Sequence, residues 1–161
     1  MTRAEYNTAV DLYADNLFRF ILKNIQDVDK SKDIVQDTFL KVWNRHGEIA
    51  SEKAKSYLFS TGYRTMIDLI RKEKKQVRME ESDLLGHVTT DQYSDLQSVL
   101  LAALDQLPEA QKAVVLLRDY EGYNYSEIGE ITGLTESQVK VYIYRARKFL
   151  QKYIGNMEVL I

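Results

Sequence analysis

The sequence predicts an all-α protein in which two small helical domains, residues 1–80 and 99–161, are joined by a flexible acidic linker at 81–98. Three observations predict this organisation. Apolar residues recur at intervals of three or four along most of the chain, which is the period of an amphipathic helix. This periodicity is lost from Glu81 to Ser98, where the sequence is polar and acidic and contains a glycine. The segment from Tyr125 to Leu150 has the pattern of two short helices separated by a tight turn.

The first domain is expected to open with two helices separated by a polar break from Gln26 to Asp33. The first helix carries one apolar stripe that we expect in the core, formed by Tyr6, Val10, Tyr13, Leu17 and Ile21. The second helix has more apolar residues than one stripe holds. Val35, Phe39 and Val42 can face inward together, which leaves Leu40 and Trp43 on a neighbouring face that must pack against another helix or a partner. From the residues alone we favour core packing for Trp43.

A loop from Arg45 to Lys53 precedes the third predicted helix, which begins near Ala54. Aromatic residues alternate with bases along this helix, and its end is strongly basic. Between Ser51 and Glu80 there are eight Lys and Arg against four Asp and Glu, so positive charge is concentrated there although the whole chain has a net charge of -2. Rings on which bases stack and cations that hold the backbone are what single-stranded DNA requires. Partial burial of Tyr57 and Phe59 beside a solvated basic helix end explains the pattern equally well.

The second domain is expected to start with a helix containing Val99 to Leu107, followed by a helix with Pro108 in its first turn. The second of these should end near Gly122 and bury four residues, Ala110, Val114, Leu117 and Tyr120.

A helix-turn-helix follows. Gly133 can end its first helix in a backbone conformation that other residues resist, and Thr135 with Gln138 forms a capping box that opens the second helix. Its buried face is predicted to be Val139, Ile143, Ala146 and Leu150, and its outward face is predicted to be Lys140, Tyr144, Arg145 and Lys148. A solvated helix end with cations near the negative pole of the dipole is the plainer alternative, but the capped turn favours DNA binding.

Several function classes are disfavoured by what the sequence lacks. There is no cysteine, which excludes disulfides, thiolate metal sites and cysteine nucleophiles. His46 and His87 are far apart and have no second ligand at metal spacing, so neither is expected to bind metal or to be catalytic. No apolar run approaches the roughly 20 residues of a membrane-spanning helix. We therefore expect a cytoplasmic binding protein that is not an enzyme and that has no cofactor and no small-molecule substrate.

The order of these features resembles an extracytoplasmic-function (ECF) sigma factor of the sigma-70 family, the two-domain initiation subunit of bacterial RNA polymerase. Region two would lie near residues 5–78 and region four near residues 99–153. Four stretches carry the resemblance: KDIVQDTFLKVWN, SYLFSTGYRTMIDLIRKEKK, LDQLPEAQKAVVLLRDYEGYNYSEIGEITGL and ESQVKVYIYRARKFL. They resemble, in order, the helix that binds the clamp of the largest polymerase subunit, the helix facing the minus-ten element, the start of region four and the helix that reads the minus-thirty-five element.

The resemblance implies three sets of site residues. Core polymerase would contact Asp33, Gln36, Asp37, Phe39, Leu40 and Trp43. The minus-ten side would be formed by His46, Ile49, Tyr57, Tyr63, Arg64, Arg71, Lys72, Lys74 and Lys75, with the loop from His46 to Ile49 placed where the family captures a flipped base. The minus-thirty-five side would be formed by Arg118, Thr135, Ser137, Gln138, Lys140, Val141, Tyr144, Arg145 and Lys148.

The implied partners are core RNA polymerase and promoter DNA, with an anti-sigma factor as a candidate regulator and no membrane. Arg64 stands where many family members have asparagine, and Tyr57 where many have tryptophan, so a minus-ten sequence preference is not carried over. Two other readings of the residues stay open: a stand-alone helix-turn-helix regulator, and an adaptor whose first domain makes only protein contacts. An enzyme is the remotest of the readings.

Overall fold

A computed structural model describes the backbone of residues 1–79 and 96–160 and the side chains of residues 1–77 and 96–155. The described residues contain seven α-helices and no strand, which confirms the predicted all-α fold. The helices are α1 (Arg3–Ile25), α2 (Val28–Asn44), α3 (Ala54–Met79), α4 (Leu96–Asp105), α5 (Glu109–Val115), α6 (Tyr125–Thr132) and α7 (Glu136–Leu160). Most of the predicted linker lies outside the described residues, and its last three residues form the start of α4.

The polar break before α2 is much shorter than the predicted span from Gln26 to Asp33. Gln26 ends α1 in the left-handed conformation, with φ of 54°. Asp27 then caps α2 by accepting a hydrogen bond from the backbone N–H of Lys30. Ser31 is buried inside the first turn, where its hydroxyl donates to the carbonyl of Asp27. Because these polar side chains form hydrogen bonds with the backbone at the start of α2, most of the hydrophilic stretch is helical rather than a loop.

Most of the predicted inward positions of the first two helices are confirmed, but Trp43 is not in the core. Leu17, Ile21 and Val42 are buried. Trp43 is 36% exposed and Leu40 is 57% exposed, so neither lies in the core. Trp43 instead lies against the ring of His46.

In the second half of the chain, a π-helical turn from Leu116 to Tyr120 follows α5 directly. Its backbone hydrogen bond runs from Glu121 N–H to the carbonyl of Leu116, five residues back. The wider turn rotates the following side chains, so Tyr120 is exposed, contrary to the prediction that it is buried. Pro108 also differs from its predicted place, because it immediately precedes α5 as the capping residue.

The two halves of the chain pack together around one hydrophobic core. The core includes Leu17 and Phe59 from the first half and Leu104 and Tyr123 from the second. α6 lies against α3, and α5 touches α1. The helical domains predicted from the sequence are therefore in direct contact in this structure.

Candidate nucleic-acid and protein interfaces

One candidate interface is a polar patch on α2 with an exposed leucine. Asp33, Gln36, Asp37 and Leu40 line the same shallow groove between α2 and α3. The three polar side chains are exposed, and Asp37 lies 3.9 Å from the ammonium of Lys41. An exposed leucine among acids and an amide suits a protein partner better than DNA phosphates, because the carboxylates repel phosphates.

The end of α2 is closed by a cluster of rings. Trp43 and His46 stack with centroids 4.2 Å apart, and Tyr6 meets Trp43 edge-on at 5.0 Å. His46 Nδ1 lies 2.6 Å from the carbonyl of Trp43, which holds the stack in place. The predicted polymerase contact Phe39 is half-buried and packs inward, and its carbonyl accepts the hydroxyl of Tyr6. Leu40 and Trp43 therefore carry the accessible apolar surface in the second half of α2.

The predicted DNA contact Ile49 does not face solvent. It is buried in a second small core with Val42, Ala54 and Leu58. The prediction that its side chain contacts DNA directly is wrong. Ile49 follows a 3₁₀ turn, and its apolar side chain is more stable when it is buried beneath the loop than when it faces water. His46 and the loop backbone remain at the surface above it.

A groove crosses the outer face of α3. On the side of α2 it is lined by Lys41, Asn44 and Arg45, and Tyr57, Thr61 and Arg64 of α3 form its floor. The same three α3 residues continue into a second depression that reaches α6. The groove thus combines one ring, hydroxyl groups and several cations, which is the combination expected for a single strand of nucleic acid.

The basic end of α3 is partly covered by the second half of the chain. Arg71, Lys72 and Lys75 are exposed, whereas Lys74 forms an ion pair with Glu109 of α5. Tyr63 is half-buried, and burial raises the pKa of its hydroxyl. The structure therefore divides the predicted minus-ten set into accessible residues and residues turned toward the other domain.

The helix-turn-helix forms as predicted. Gly133 ends α6 with φ of 80°, in the left-handed region that glycine tolerates best. The backbone N–H of Gln138 donates to Thr135 Oγ1 at 3.1 Å, and the backbone N–H of Thr135 donates to Gln138 Oε1 at 2.9 Å. The predicted capping box is confirmed. Val139, Ile143 and Ala146 are buried, as predicted for the inner face of α7.

The outer face of α7 is open. Its exposed residues are Ser137, Gln138, Lys140, Val141, Tyr144, Arg145 and Lys148, and Thr135 is exposed just before the helix. Lys148 Nζ lies 5.7 Å from the ring centroid of Tyr144. A capped helix with this face uncovered can enter the major groove, where arginine and lysine read guanine edges.

Two arginines near α7 have specific partners. Arg118 donates to the carbonyl of Tyr123 and lies 4.8 Å from the ring centroid of Tyr125. Arg147 binds Asp119 through two hydrogen bonds, and the pKa of its guanidinium is raised mainly by these bonds. Arg118 thus stays beside the open face, whereas Arg147 ties α7 to the π-helical turn.

Sequence reasoning missed three residues that connect the elements. Tyr123 is 2% exposed between the domains, with its ring edge-on to Phe59 at 5.2 Å. Its hydroxyl has no hydrogen-bond partner, and burial raises its pKa strongly. Buried Lys112 donates to the carbonyl of Asn24 and to Asp105. A tyrosine in the polar turn between Gly122 and Asn124, and a lysine in a helix, carry no local signal of burial.

The third missed residue is Glu121, which pairs with Arg19 across the domain boundary at 2.9 Å. The pKa of Arg19 is raised by this hydrogen-bonded carboxylate.

Among the side chains that the structure describes, no group of three His, Asp or Glu is arranged to hold a metal ion. None of the helices in the described ranges is long and apolar enough to cross a membrane.

Comparisons with known proteins match both halves of the chain to regions of one family. The families described as Sigma-70 region 2 and Sigma-70, region 4 match residues 9–76 and 97–150. The chain is similar to RNA polymerase sigma factor SigV of Bacillus subtilis, with 31% identity covering 93% of this chain and 91% of that protein. It is also similar to the ECF RNA polymerase sigma factor SigM of Bacillus subtilis, with 26% identity over 87% of this chain and 89% of that protein.

Two solved structures have a fold similar to that of this chain. The sigma factor RpoE in complex with the anti-sigma factor NepR from Bartonella quintana matches with a TM-score of 0.80 and 25% identity. The alignment covers 93% of this chain and 96% of that one. CnrH in complex with the cytosolic domain of CnrY matches with a TM-score of 0.69 and 20% identity over 94% and 88% of the two chains.

Proposed function

The chain belongs to the sigma-70 family of RNA polymerase sigma factors, and from this premise we propose that it is an ECF member whose two domains divide promoter binding between them. It directs core RNA polymerase to specific promoters and initiates transcription there. In the proposed division, residues 1–80 bind polymerase and the minus-ten element, residues 99–161 read the minus-thirty-five element, and residues 81–98 connect them. The role is binding rather than catalysis, and its site of action is the cytoplasm, where polymerase and promoter meet.

The observation that carries the assignment of the second domain is the open outer face of α7. Lys140, Tyr144 and Arg145 project from a helix that is capped at its start and anchored along its inner face. A rigid helix presents these side chains with little loss of conformational entropy on binding. Arg118 lies at the edge of the same face, within reach of a phosphate.

For the first domain, the proposed polymerase contact consists of Asp33, Gln36, Asp37, Leu40 and Trp43. The carboxylates and the amide supply polar specificity, and the exposed apolar side chains supply area to bury. The proposed minus-ten contact is the groove around Tyr57 and Arg64, with His46 at its loop edge and Arg71, Lys72 and Lys75 on its basic side.

Neither DNA contact needs high affinity alone. Once both domains are held on one polymerase, the second contact becomes intramolecular and its effective concentration rises. A net charge of -2 for the free chain agrees with weak binding to DNA without polymerase. An anti-sigma factor is a proposed regulatory partner, because the two solved neighbours are complexes with NepR and with the cytosolic domain of CnrY.

The test is binding of the purified chain to core RNA polymerase. We expect the parent to form a stable complex and the triple variant Asp33→Ala, Gln36→Ala, Asp37→Ala to lose most of its affinity while keeping its helical circular dichroism. The matched control is Asn7→Ala, Asp11→Ala, Asp15→Ala, which removes the same two charges and one amide from the exposed face of α1. A folded parent that does not bind polymerase would contradict the proposal, as would equal losses in the two triple variants.

A further inference from the structure

The groove on α3 has an unfilled polar position at the end nearest α6. Ser60 is only 9% exposed, and its hydroxyl has no hydrogen-bond partner. It lines the same depression as Lys53, Tyr57 and Arg64. A buried hydroxyl without a partner is uncommon and requires an explanation. The depression above this buried hydroxyl is lined by two cations, Lys53 and Arg64, so its chemistry matches a phosphate group.

A carboxylate of the other domain lines the same depression. Glu130 of α6 reaches the depression, and its Oε1 is 4.0 Å from Lys53 Nζ. Among the residues that line the two connected depressions of the groove, Glu130 is the one carboxylate, and the cations are Lys41, Arg45, Lys53 and Arg64. Glu130 is also the one residue of that lining contributed by the second domain.

We propose that Glu130 takes the place of a DNA phosphate beside Lys53 in the free chain and weakens binding of a single strand to the groove until the second domain moves away from α3. The proposal rests on the proposed function, because it assumes that the α3 groove holds the melted strand. Like charges repel each other at one cationic position, so Glu130 disfavours a phosphate beside Lys53.

The lengths of DNA and protein support a separation of the domains at the promoter. Elements at minus ten and minus thirty-five are about 25 base pairs apart, or about 85 Å of straight duplex at ~3.4 Å per base pair. A compact chain of 161 residues has a radius of gyration of roughly 15 Å and is roughly 40 Å across. The closed arrangement therefore cannot reach both elements at once, and separation removes Glu130 from the groove.

The Lys53–Glu130 pair is suited to reversible closure. Both side chains are more than half exposed, at 62% and 53%, and exposed pairs of this kind are weak and screened by salt. The pair can therefore be displaced by stronger contacts to polymerase, and its effect on DNA should be modest.

The experiment measures binding of the full free chain to a fluorescein-labelled single-stranded 20-mer of mixed sequence by fluorescence anisotropy at low salt. We expect Glu130→Gln to tighten binding by about threefold to tenfold, because the phosphate no longer competes with a carboxylate. The matched control is Asp11→Asn, which makes the same change in net charge on the exposed face of α1. It should change the affinity by less than about 1.5-fold. Equal effects of the two variants would overturn the proposal.

A double-mutant cycle tests the shared cation directly. Lys53→Gln should weaken binding only slightly in the parent, where Glu130 already neutralises Lys53. In the Glu130→Gln background it should weaken binding by about fivefold, because Lys53 is then free to bind phosphate. Effects of the same size in both backgrounds would show that the two residues act independently and would overturn the proposal.

Binding of the parent to core polymerase separates the possible failures. If the parent binds polymerase but Glu130→Gln leaves oligonucleotide binding unchanged, the phosphate replacement is wrong and the sigma-factor assignment stands. If no variant binds the oligonucleotide while the parent binds polymerase, the proposal is likewise overturned. If the parent fails to bind polymerase, the failure belongs to the proposed function. Circular dichroism of each variant checks that the helices are intact.

Discussion

The two proposed DNA-binding surfaces differ in what covers them. The outer face of α7 is exposed from Ser137 to Lys148, and the contacts made by Lys148 and Arg118 beside it come from residues of the same domain. The corresponding face of α3 is shared with the other domain. Lys74 pairs with Glu109, Lys53 faces Glu130, and α6 lies across the helix. Duplex reading therefore needs no rearrangement of the chain, whereas access to all of α3 does.

The contact between the domains combines apolar packing with polar groups, one of which has no hydrogen-bond partner. Tyr123 enters the first domain beside Phe59, but its hydroxyl lacks a partner. Lys112 is buried and bonded, and Arg19 donates two hydrogen bonds to Glu121, whose side chain is only 3% exposed. Unpaired buried hydroxyls cost free energy, and the exposed Lys53–Glu130 pair adds little. Apolar packing around Tyr123 therefore carries much of the contact, and four substitutions test how the two surfaces differ.

Removal of the Tyr123 ring should cause the largest loss of stability, because the ring packs at the contact between the domains. Tyr123→Ala deletes a fully packed aromatic side chain and should lower the free energy of unfolding by about 3–5 kcal/mol, measured by urea denaturation. Tyr123→Phe is the control, because it keeps the ring and removes only the unpaired hydroxyl. It should be neutral or slightly stabilising. A loss of stability in Tyr123→Phe similar to that in Tyr123→Ala would contradict this account of the contact.

The buried lysine gives the next largest effect. Lys112→Met keeps the length of the side chain but leaves the carbonyl of Asn24 without its donor. We expect a loss of about 1–3 kcal/mol in the free energy of unfolding. Asp105 keeps its hydrogen bond from Gln26, which limits the cost. The same substitution at exposed Lys152 is the control and should cost less than about 0.5 kcal/mol; comparable losses would mean that burial of Lys112 is not what matters.

Two arginines of α7 should differ in role, because one is expected to affect DNA affinity and the other stability. Arg145→Ala should lower the affinity of the holoenzyme for a mapped promoter by about tenfold, or about 1.4 kcal/mol, because this outward arginine is a proposed DNA contact. Arg147→Ala should instead reduce the stability of the second domain, because Arg147 is bound to Asp119. The measurements are filter binding at several salt concentrations and thermal unfolding. The interpretation fails if both variants have the same profile.

The helix cap should give the smallest effect. Thr135→Ala removes the oxygen that accepts the backbone N–H of Gln138 and should cost about 1 kcal/mol of stability. Ser137→Ala removes a hydroxyl two residues later that is exposed and holds no cap, so its cost should be near zero. Thermal unfolding followed by circular dichroism compares the two. The cap would be unimportant for α7 if both proteins melted at the temperature of the parent.

The fold and much of the candidate site could be predicted where the signals are local. The turn before α7 follows from Gly133, Thr135 and Gln138, whose hydrogen bonds span no more than four residues. The inward and outward faces of α7 follow from the helical period alone. That Leu40 lies off the inward stripe of α2 could also be predicted, because the helix has more apolar residues than one stripe can bury.

The helices, the helix-turn-helix and the charge on each face could thus be predicted from the residues, since these features depend on hydrogen bonds and periodicity within a few turns. The tertiary structure alone decided where Tyr123, Lys112 and Glu130 lie, because their contacts join parts of the chain that are more than 60 residues apart. It also decided that Trp43 and Tyr120 are exposed, through a stacked histidine and a π-helical turn respectively. Such placements depend on which surfaces fit together, and packing complementarity across a fold leaves no periodic mark in the sequence.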